Sequence, residues 1–445
     1  MSNPSRPPVR IGLCGAGTVG AAVIDLLARE APEIERRLGR RLALTVVGLR
    51  RARPDLDLGD ARIVDDLLDV ARADDVDVVV ELIGGADLAH DVVACALDAG
   101  KAVVTANKAL IAEHGEVLLA SAERSGAALA FEAAVAGGIP VLKALREGLA
   151  ANRIEWIAGI INGTSNFILS DMRQSGRDFA DVLAEAQALG YAEADPTFDV
   201  DGTDAAHKLA ILASLAFGAP LRFDAGHNEG IDLVTREDIG YAEDLGFRIK
   251  PLAICRATQA GIELRVHPTL VPADQLIAGV DGVMNAVLIA SQPVGTTLYH
   301  GPGAGGGATA SSVVADIIDV ARTLDVGASG RVPAFAFPSD GRRDVPVLPM
   351  ADVTSAYYLR VLVRDEPGVL ARIATLLADQ GISIEALLQR DSERREVNGE
   401  PRVPIVIVTQ RVREAACDAA IAQIEALDAV DGPLTRLRVE DLSAP

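Results

Sequence analysis

The chain has 445 residues, 49% of them hydrophobic and only 3% aromatic, and a formal net charge of −21 at pH 7. That length predicts two or three domains with cores of their own, and the apolar content excludes an intrinsically disordered chain. The excess of acidic residues argues against general binding to nucleic acid or to anionic membranes, although it still allows a local basic pocket for a phosphate.

Residues 9–131 alternate continuous apolar strands with helical patterns. Strands are predicted at VRIGLCG, LALTVVGL, VDVVVELIGG, KAVVTAN and AALAFEAAVAG, and one long helix is predicted over TVGAAVIDLLAREAPEIERRL. Apolar strands separated by helices are typical of a parallel sheet covered on both faces. Residues 1–136 are therefore predicted to form a Rossmann-type dinucleotide-binding domain in an α/β protein.

The pattern changes after Pro140, and residues 137–304 are predicted to form a second, α+β domain. A helix begins at Pro140, IEWIAGIING is a strand, and helices follow over 164–175, 178–189 and AAHKLAILASLAFG. Shorter strands and connections are predicted for 228–300. The glycine-rich stretch GPGAGGGATASS leads into a helix, and residues 305–330 are predicted to complete the first domain.

Two further segments follow this second domain. Residues 331–353 contain four prolines and no clear period, which predicts a linker. Residues 354–445 have the order strand, helix, strand, strand, helix, strand, which is typical of a ferredoxin-like module.

The sequence contains no pattern for export and no metal-binding cysteine motif. No apolar stretch near the N-terminus suggests a signal peptide and no run is long enough to cross a membrane, so a cytoplasmic protein is expected. The four cysteines are widely spaced, which predicts buried and reduced thiols: Cys14, Cys95, Cys255 and Cys417.

A glycine-rich loop follows the first predicted strand and opens the first predicted helix. Its GxGxxG pattern favours a dinucleotide site, because the first glycine allows a tight turn and the second lets the backbone approach a pyrophosphate. The third packs the helix against the strand, so that the helix N-terminus faces the phosphates. The alternative is a glycine turn without a ligand. The predicted cofactor contacts here are Gly15, Gly17, Thr18, Val19 and Gly20.

The end of the second strand bears on the choice of cofactor. An NAD site usually places a carboxylate there for the ribose hydroxyl, but Arg50 and Arg51 follow the strand and no carboxylate appears before Asp55. Guanidinium groups match a 2′-phosphate, which favours NADP and leaves NAD possible. The alternative is that these arginines only solvate a loop.

Other glycines and polar residues follow predicted strands, where open α/β sheets bind ligands. Gly84 could pass beneath a nicotinamide, Thr105 ends a strand, and Lys108 begins a helix. A lysine in the first turn opposes the helix dipole, which suggests a use beyond solvation, although a solvated lysine remains the alternative. Gly305 precedes a helix that is expected to close over the cofactor.

The stretch DPTFDVDGTDAAHK, residues 195–208, allows three interpretations. A calcium loop fails on spacing, because Gly202 follows the second aspartate and the twelfth position is Ala210 rather than a glutamate. A solvated acidic turn would use Asp204 to cap the next helix. In the third interpretation, Asp204 and Lys208 lie four residues apart on one helix face, so that carboxylates bind an ammonium beside a working lysine.

Six stretches, in this order and at these intervals, resemble homoserine dehydrogenase over residues 9 to about 330: GLCGAGTVG, TANKAL, EAAVAGGIPV, INGTSNFIL, ALGYAEADPTFDVDGTDAAHK and GPGAGGGATASSVVADI. The module that begins near 354, with DEPGVL after its first strand, resembles an ACT domain, which binds amino acids. Nothing before residue 9 could be an aspartate kinase, so the monofunctional form is expected.

The resemblance implies interconversion of L-aspartate 4-semialdehyde and L-homoserine with NAD(P)H, on the way to threonine, isoleucine and methionine. Lys208 would donate a proton to the aldehyde oxygen, and Lys108 would assist electrostatically. The implied substrate contacts are Gly190, Tyr191, Glu193, Asp199 and Asp204.

The resemblance also implies a monovalent cation, with sodium as the candidate, held by the Glu132 side chain and the carbonyls of Val135, Gly137 and Ile139. Its role would be structural. In the ACT module, L-threonine would bind at a loop formed by Asp365, Pro367, Gly368 and Val369. The alternative is that this module only aids oligomerisation. The resemblance also implies a homodimer or homotetramer, with residues 137–304 as the substrate-binding, catalytic and dimerisation domain.

Two rival functions remain to be weighed. Another two-domain NADP oxidoreductase would be expected to lack the full run from Gly190 to Lys208, and a non-catalytic amino-acid sensor would be expected to lose Lys108 or Lys208. The sequence does not decide the cofactor preference, the oligomeric state or the effect of threonine. It also leaves open whether Cys14, in the phosphate loop, is sensitive to oxidation.

Overall fold

A computed structural model describes residues 6–327, 330–390, 394–397 and 400–442. These residues form two compact units. The first unit takes its residues from 1–163, 204–225 and 283–345, and the second from 164–203, 226–282 and 346–445. The units divide the chain differently from the predicted domains, whose boundaries stay a prediction.

The strands of the described residues are β1 (Val9–Cys14), β2 (Leu42–Gly48), β3 (Arg62–Val64), β4 (Val78–Glu81), β5 (Ala102–Thr105), β6 (Leu129–Ala130), β7 (Arg153–Ile160), β8 (His227–Asn228), β9 (Phe247–Ala257), β10 (Ile262–Pro272), β11 (Met284–Gln292), β12 (Gly295–Pro302), β13 (Thr354–Arg364), β14 (Ile384–Gln389), β15 (Arg395–Val397), β16 (Glu400–Thr409), β17 (Val412–Arg413) and β18 (Thr435–Val439).

The helices of the same residues are α1 (Thr18–Arg29), α2 (Ala31–Leu38), α3 (Leu67–Arg72), α4 (Asp87–Asp98), α5 (Lys108–Ser125), α6 (Val141–Lys143, continued by a π-helical turn Ala144–Gly148), α7 (Gly163–Ser175), α8 (Phe179–Ala188), α9 (Thr197–Val200), α10 (Thr203–Phe217), α11 (Arg236–Asp244), α12 (Gly306–Thr323), α13 (Val369–Asp379) and α14 (Glu414–Glu425). Within the described ranges, no helix is long and apolar enough to span a membrane.

A parallel six-stranded sheet lies at the centre of the first unit, in the order β3-β2-β1-β4-β5-β6. The strand order reverses between β1 and β4, which is where open α/β sheets bind ligands. Buried side chains of α1 and α12, such as Val23 and Val313, pack in one core with strand residues such as Ile11 and Val104. The predicted α/β class and parallel sheet are confirmed.

Two details of this unit differ from the sequence prediction. The long helix predicted over residues 18–38 is divided at Glu30 into α1 and α2, because Pro32 lies in the first turn of α2 and cannot continue a preceding helix. The short elements β3 and α3 were not predicted, since three and six residues are too few to show a clear period.

The first unit also contains the antiparallel sheet β12-β11-β7. The segment predicted as a linker is packed where it belongs to this unit. Phe335 is fully buried, with its ring centroid 5.0 Å from that of Phe131. Arg342 donates hydrogen bonds of 2.6 and 2.8 Å to the Glu116 carboxylate.

The sheet of the second unit has the order β9-β10-β18-β13-β16-β14. Its C-terminal part confirms the predicted order of strands and helices, in β13, α13, β14, β16, α14 and β18. The expectation of short strands before it is wrong, because β9 and β10 each have eleven residues. Alternating charged residues on β10, such as Glu263 and Arg265, interrupt the apolar pattern, yet every residue from Ile262 to Val271 is buried.

Candidate active site

A cavity of about 540 Å³ opens in the first unit where β1, β2 and β4 end. Of the predicted cofactor contacts, Gly15, Gly17, Arg50 and Arg51 belong to its lining. The lining residues are Gly15, Ala16, Gly17, Gly48, Leu49, Arg50, Arg51, Arg53, Leu67, Leu82 and Ile83. Thr18 and Val19 form the first turn of α1 beside this opening.

The three glycines of the loop occupy different surroundings. Gly15 has a φ of +94°, and a Cβ there would lie 2.7 Å from the Leu82 carbonyl oxygen. A Cβ on Gly20 would lie 2.1 Å from the Gly15 carbonyl oxygen, so this glycine lets α1 approach the strand. A Cβ on Gly17 would meet nothing within 4 Å, which leaves its backbone open to a ligand.

Three arginines lie at the β2 end of the cavity. Arg50 and Arg51 are exposed. Arg53 donates to both oxygens of Asp55 at 2.9 and 2.7 Å and also contacts the Ala16 carbonyl. The first two guanidiniums are therefore accessible to an anion, whereas the third already has a carboxylate partner.

Cys14, the last residue of β1, lies behind the glycine loop and is fully buried. Burial, together with the nearby Glu81 carboxylate, raises the pKa of its thiol to about 12. Because the thiolate is the reactive form, both the burial and the raised pKa disfavour oxidation of this thiol. The described cysteines are all free; Cys14, Cys255 and Cys417 are buried as predicted, whereas Cys95 is only partly buried.

The ends of β4 and β5 carry a hydrogen-bonded network that the sequence analysis missed. Glu81 is fully buried and accepts hydrogen bonds from the Thr105 hydroxyl at 2.5 Å and the Ile83 N–H at 2.7 Å. Asn107 caps α5, where Lys108 is the first residue. The sequence signal that could have revealed this network is Glu81 itself, a charged residue at the end of an otherwise apolar strand. Gly84 follows with a φ of +78° and is exposed.

The Asp204 carboxylate lies between two lysines. Its Oδ1 is 2.5 Å from Lys108 Nζ and its Oδ2 is 2.7 Å from Lys208 Nζ. The Lys208 ammonium also donates to the Ile161 carbonyl at 2.7 Å. Asp204 is 3% exposed, and its Oδ2 also accepts from the Asn162 amide at 2.8 Å, a contact that the sequence analysis did not foresee. Burial acts to raise the pKa of Asp204, but Lys208 and Lys108 outweigh it and hold that pKa below its usual range.

This geometry decides among the interpretations of residues 195–208. The Asp204 side chain binds lysines rather than capping α10, and Asp201 accepts from the Thr203 N–H at 2.8 Å at that helix end instead. In the described part of the chain, no group of three or more His, Cys, Asp or Glu side chains could hold a metal ion. The i,i+4 pairing of Asp204 with Lys208 is present.

The other predicted substrate contacts lie in the second unit. Tyr191 is 45% exposed, and its carbonyl accepts from the Thr164 hydroxyl at 2.7 Å. Gly190 has a φ of +75°, Glu193 is exposed, and the Asp199 carbonyl accepts from the Ser165 hydroxyl at 2.7 Å.

The predicted cation loop lies in the first unit, where Glu132 is 2% exposed. Its carboxylate accepts from the N–H groups of Leu142 and Lys143 at 2.9 and 2.8 Å. Burial and the Asp316 carboxyl raise the pKa of Glu132 to about 7. The Glu132 carboxylate and backbone carbonyls of this loop would form an oxygen-only donor set, which suits a hard cation.

Four more predicted contacts, three of this loop and one of the cofactor, have defined positions. Val135 and Ile139 are buried, and Gly137 has a φ of +45° with its would-be Cβ 2.3 Å from the Gly303 carbonyl oxygen. Gly305 is the N-cap of α12 with a φ of +99°. The loops 135–139 and 303–305 are therefore in close contact.

The predicted effector loop opens α13 in the second unit. Gly368 is the N-cap with a φ of +95°, a conformation that favours glycine, and Val369 is buried. Asp365 forms an ion pair with Arg394, and its N–H donates to the Pro401 carbonyl at 3.1 Å. Pro367, between Asp365 and Gly368 in the sequence, is exposed.

Comparison with known proteins places this geometry in one family. A family model described as homoserine dehydrogenase matches residues 140–318, one described as its NAD-binding domain matches 15–132, and one described as the ACT domain matches 357–426. Homoserine dehydrogenase of Pseudomonas aeruginosa is 56% identical over 98% of this chain and 100% of its own length.

Solved structures give the same result. A homoserine dehydrogenase from Thiobacillus denitrificans has a TM-score of 0.93 and 52% identity, and the match covers 99% of this chain and 100% of that one. A hyperthermophilic archaeal homoserine dehydrogenase in complex with NADPH has a TM-score of 0.60 and 27% identity, over 70% of this chain and 97% of its own.

Proposed function

Because the chain belongs to the homoserine dehydrogenase family, we propose that it interconverts L-aspartate 4-semialdehyde and L-homoserine with NADP(H). Members of this family are oxidoreductases of amino-acid biosynthesis. The observation that carries the mechanism is the Asp204 carboxylate held between Lys108 and Lys208.

Lys208 is proposed as the proton donor to the aldehyde oxygen. A bound nicotinamide supplies the hydride, and the carbonyl oxygen gains negative charge as the hydride arrives. The Lys208 ammonium is held by Asp204 and the Ile161 carbonyl, so its direction is fixed before the substrate binds. In the oxidation direction the same amine accepts the hydroxyl proton.

Lys108 is proposed to stabilise the charge on that oxygen. It shares the Asp204 carboxylate with Lys208, so the centre has two ammonium groups and one carboxylate, and carries an excess positive charge. Preorganised cations stabilise an oxyanion most strongly where they are fixed and shielded from water.

Substrate binding is proposed to involve Gly190, Tyr191, Glu193 and Asp199 as well. The support is their chemistry, because carboxylates of Glu193 and Asp199 suit the ammonium of an amino-acid substrate. Alanine substitution of Glu193 should raise KM for homoserine more than it lowers kcat, which steady-state kinetics would measure.

NADP is proposed as the preferred nucleotide. Its support is the arginine-lined end of the 540 Å³ cavity, where Arg50 and Arg51 are exposed. The archaeal relative solved with NADPH adds to this support. Replacing both arginines with alanine should weaken NADP more than NAD, as measured by the ratio of their kcat/KM values.

A sodium ion is proposed for the oxygen donors of Glu132, Val135, Gly137 and Ile139. Its role would be structural, since these donors lie in a buried loop against Gly303 rather than beside Lys208. The thermal midpoint of the wild-type protein should be lower in a bulky organic cation than in sodium. A Glu132→Gln variant should not respond to sodium.

Regulation by L-threonine at the Asp365–Val369 loop is proposed from the ACT domain match. A homodimer or homotetramer is proposed as the assembly. Light scattering with and without threonine would give the oligomeric mass, and calorimetry would give the threonine affinity.

The central experiment follows nicotinamide absorbance with L-homoserine and either NADP or NAD, with and without L-threonine. The expected result is homoserine-dependent reduction, faster with NADP and lowered by threonine. No turnover from folded protein that still binds NADP would refute the enzyme proposal and favour a non-catalytic sensor. Equal rates with and without threonine would refute only the regulatory part.

A further inference from the structure

Glu81 lies at the carboxyl end of β4, next to Cys14 on one neighbouring strand and Thr105 on the other. It is fully buried, and among the described residues no ion pair reaches its carboxylate. Its partners are neutral donors, the Thr105 hydroxyl on Oε2 and the Ile83 N–H on Oε1. A buried carboxylate at the ligand-binding edge of a sheet needs an explanation beyond packing.

The hydrogen bonds around Thr105 suit a Glu81 carboxylate that acts as an acceptor. The Thr105 hydroxyl oxygen accepts from the Asn107 N–H at 3.0 Å, so its own proton is free to point to Glu81 Oε2. Both oxygens of Glu81 accept hydrogen bonds, an arrangement that suits the ionised carboxylate. Burial raises the pKa of Glu81, while the hydrogen bonds from Thr105 and Ile83 act against that shift.

Asn107 extends the network in two directions. Its Nδ2 donates to the Gly85 carbonyl at 2.6 Å, and its Oδ1 accepts from the Leu110 N–H at 3.1 Å at the start of α5. The β4 loop, residues 83–85, and the start of α5 are thus joined through Glu81, Thr105 and Asn107. Lys108 is the first residue of α5, and its ammonium contacts Asp204.

We propose that Glu81 is a positioning residue that fixes the β4 loop and Lys108 relative to each other, and so shapes the nicotinamide half of the cofactor site. This inference rests on the proposed function, which places the nicotinamide beside Lys108. The adenosine half is expected at the arginine-lined end of the cavity, which shares Ile83 with this network but includes neither Thr105 nor Asn107, so it should depend on the network less.

Glu81→Gln tests the proposal with little change in shape. One oxygen becomes an amide that faces a donor, so one hydrogen bond is lost. Calorimetry would measure the affinities of NADP and of 2′-phospho-ADP-ribose, which lacks the nicotinamide. We expect NADP binding to weaken about tenfold while binding of the fragment changes less than about twofold, together with a lower kcat.

Glu116→Gln is the matched control. Glu116 lies on α5, the helix that Lys108 begins. Like Glu81, it accepts a backbone hydrogen bond through its carboxylate, here from the Leu221 N–H at 2.8 Å. Its other partner is Arg342, away from the β4 loop. The same substitution there should leave the affinity for both ligands and the kcat unchanged.

Thr105→Val gives a second, independent variant, because it removes the hydroxyl with little change of volume. It should weaken NADP relative to the fragment in the same way, and the double variant with Glu81→Gln should lose little more than either single variant. Equal weakening of both ligands, or no change in either, would overturn the proposal. Wild-type protein that binds NADP without oxidising homoserine would refute the proposed function, while the binding comparison would still decide the role of Glu81.

Discussion

Each unit contains a buried group of opposite charges, and the two groups are built from different residues. In the first unit, one carboxylate, Asp204, serves two lysines whose side chains are 35% and 12% exposed. In the second unit, two arginines, Arg265 and Arg438, are fully buried and each has two carboxylate partners. The first group has two cations for one carboxylate, whereas in the second the carboxylates also pair with Arg256 and Arg436, so that the charges balance.

The arginines of the second unit join its strands. Arg265 on β10 donates to Glu440 at 2.7 Å and to Glu263 at 3.0 Å, and its Nη1 lies 2.9 Å from His267 Nε2. Since guanidinium only donates, His267 Nε2 is the acceptor and the ring is neutral.

Arg438 on β18 likewise donates to two carboxylates. It donates to both oxygens of Glu229 at 2.7 and 2.9 Å and to the Glu414 carboxylate at 3.0 Å. Both arginines thus bridge segments far apart in the chain, with every contact inside the second unit.

The difference teaches what each group is suited to do. An arginine keeps its proton and binds carboxylates through a fixed fork, which suits a permanent connection. A lysine is a point charge on a flexible stem whose proton can be transferred, which suits chemistry. Partial exposure of the lysines leaves room for a substrate, whereas the arginines have no accessible surface.

The largest expected effect is on kcat, when a lysine of the first group is replaced by arginine, the cation of the second group. Lys208→Arg keeps the charge and a contact with Asp204 but removes a transferable proton, so kcat should fall by about 10²–10⁴-fold. Steady-state kinetics would measure this, with the thermal midpoint as the control for folding. Turnover within tenfold of wild type would contradict the proton-donor role.

The converse change removes an arginine from the second group. Arg438→Met removes the main cation of the buried Glu414 and of the partly exposed Glu229, although Arg436 still reaches both, so the free energy of unfolding should fall by up to about 3–5 kcal/mol. Hydrogen exchange of peptides from β10 and β18 would locate the loss. Arg438→Lys keeps the charge without the fork and should lose less; equal exchange in all three proteins would contradict this assignment.

A smaller effect is expected where a neutral side chain supports the first group. Asn162→Leu removes the amide that donates to Asp204 Oδ2, which leaves the lysines in place but less firmly directed. We expect kcat to fall about tenfold, since one hydrogen bond to a charged group is worth about 1.5–3 kcal/mol at most. KM for NADP should stay unchanged, and a rise in KM with constant kcat would point to a binding role instead.

The smallest effect is a pH dependence of stability in the second group. Burial, then the Arg438 and Arg265 guanidiniums, hold the pKa of His267 well below its usual value, while Glu229 acts in the opposite direction. The unfolded chain binds a proton near pH 6.5 that the folded chain does not, so stability is complete above that pH and falls below it.

The expected loss is up to about 1.4 kcal/mol for each pH unit below 6.5, measured by denaturant unfolding at pH 7 and 5.5. His267→Gln should make this dependence shallower. It should not abolish it, because burial also lowers the pKa of His207 in the first unit. An unchanged slope in the variant would show that His267 is protonated in the folded protein.

The sequence predicted what depends on local pattern. Apolar strands between helices gave the parallel sheet, and the four-residue spacing of Asp204 and Lys208 put both on one helix face. Features that need a partner far along the chain were missed or wrong. Asp204 was a plausible helix cap until Lys108 and Asn162 were brought to it by the fold.

Buried polar residues were also missed because their partners lie far along the chain. Glu81 looked like the end of an apolar strand, and its partner Thr105 depends on the register between β4 and β5. The charges of β10 weakened its strand pattern because the carboxylates that satisfy them come from the other end of the chain, at Glu440 for example. Charge pairing of this kind cannot be recognised without the fold.

The position of β18 has a consequence for biosynthesis. It pairs with β10 on one side and β13 on the other, although residues 435–439 are translated long after residues 262–272. Until β18 emerges from the ribosome, the facing edge of β13 and the part of β10 beyond its short pairing with β8 have no partner strand, and Arg265 has no Glu440. A nascent chain stalled in this interval presents two open edges, which makes it a natural substrate for chaperones and a hazard for aggregation.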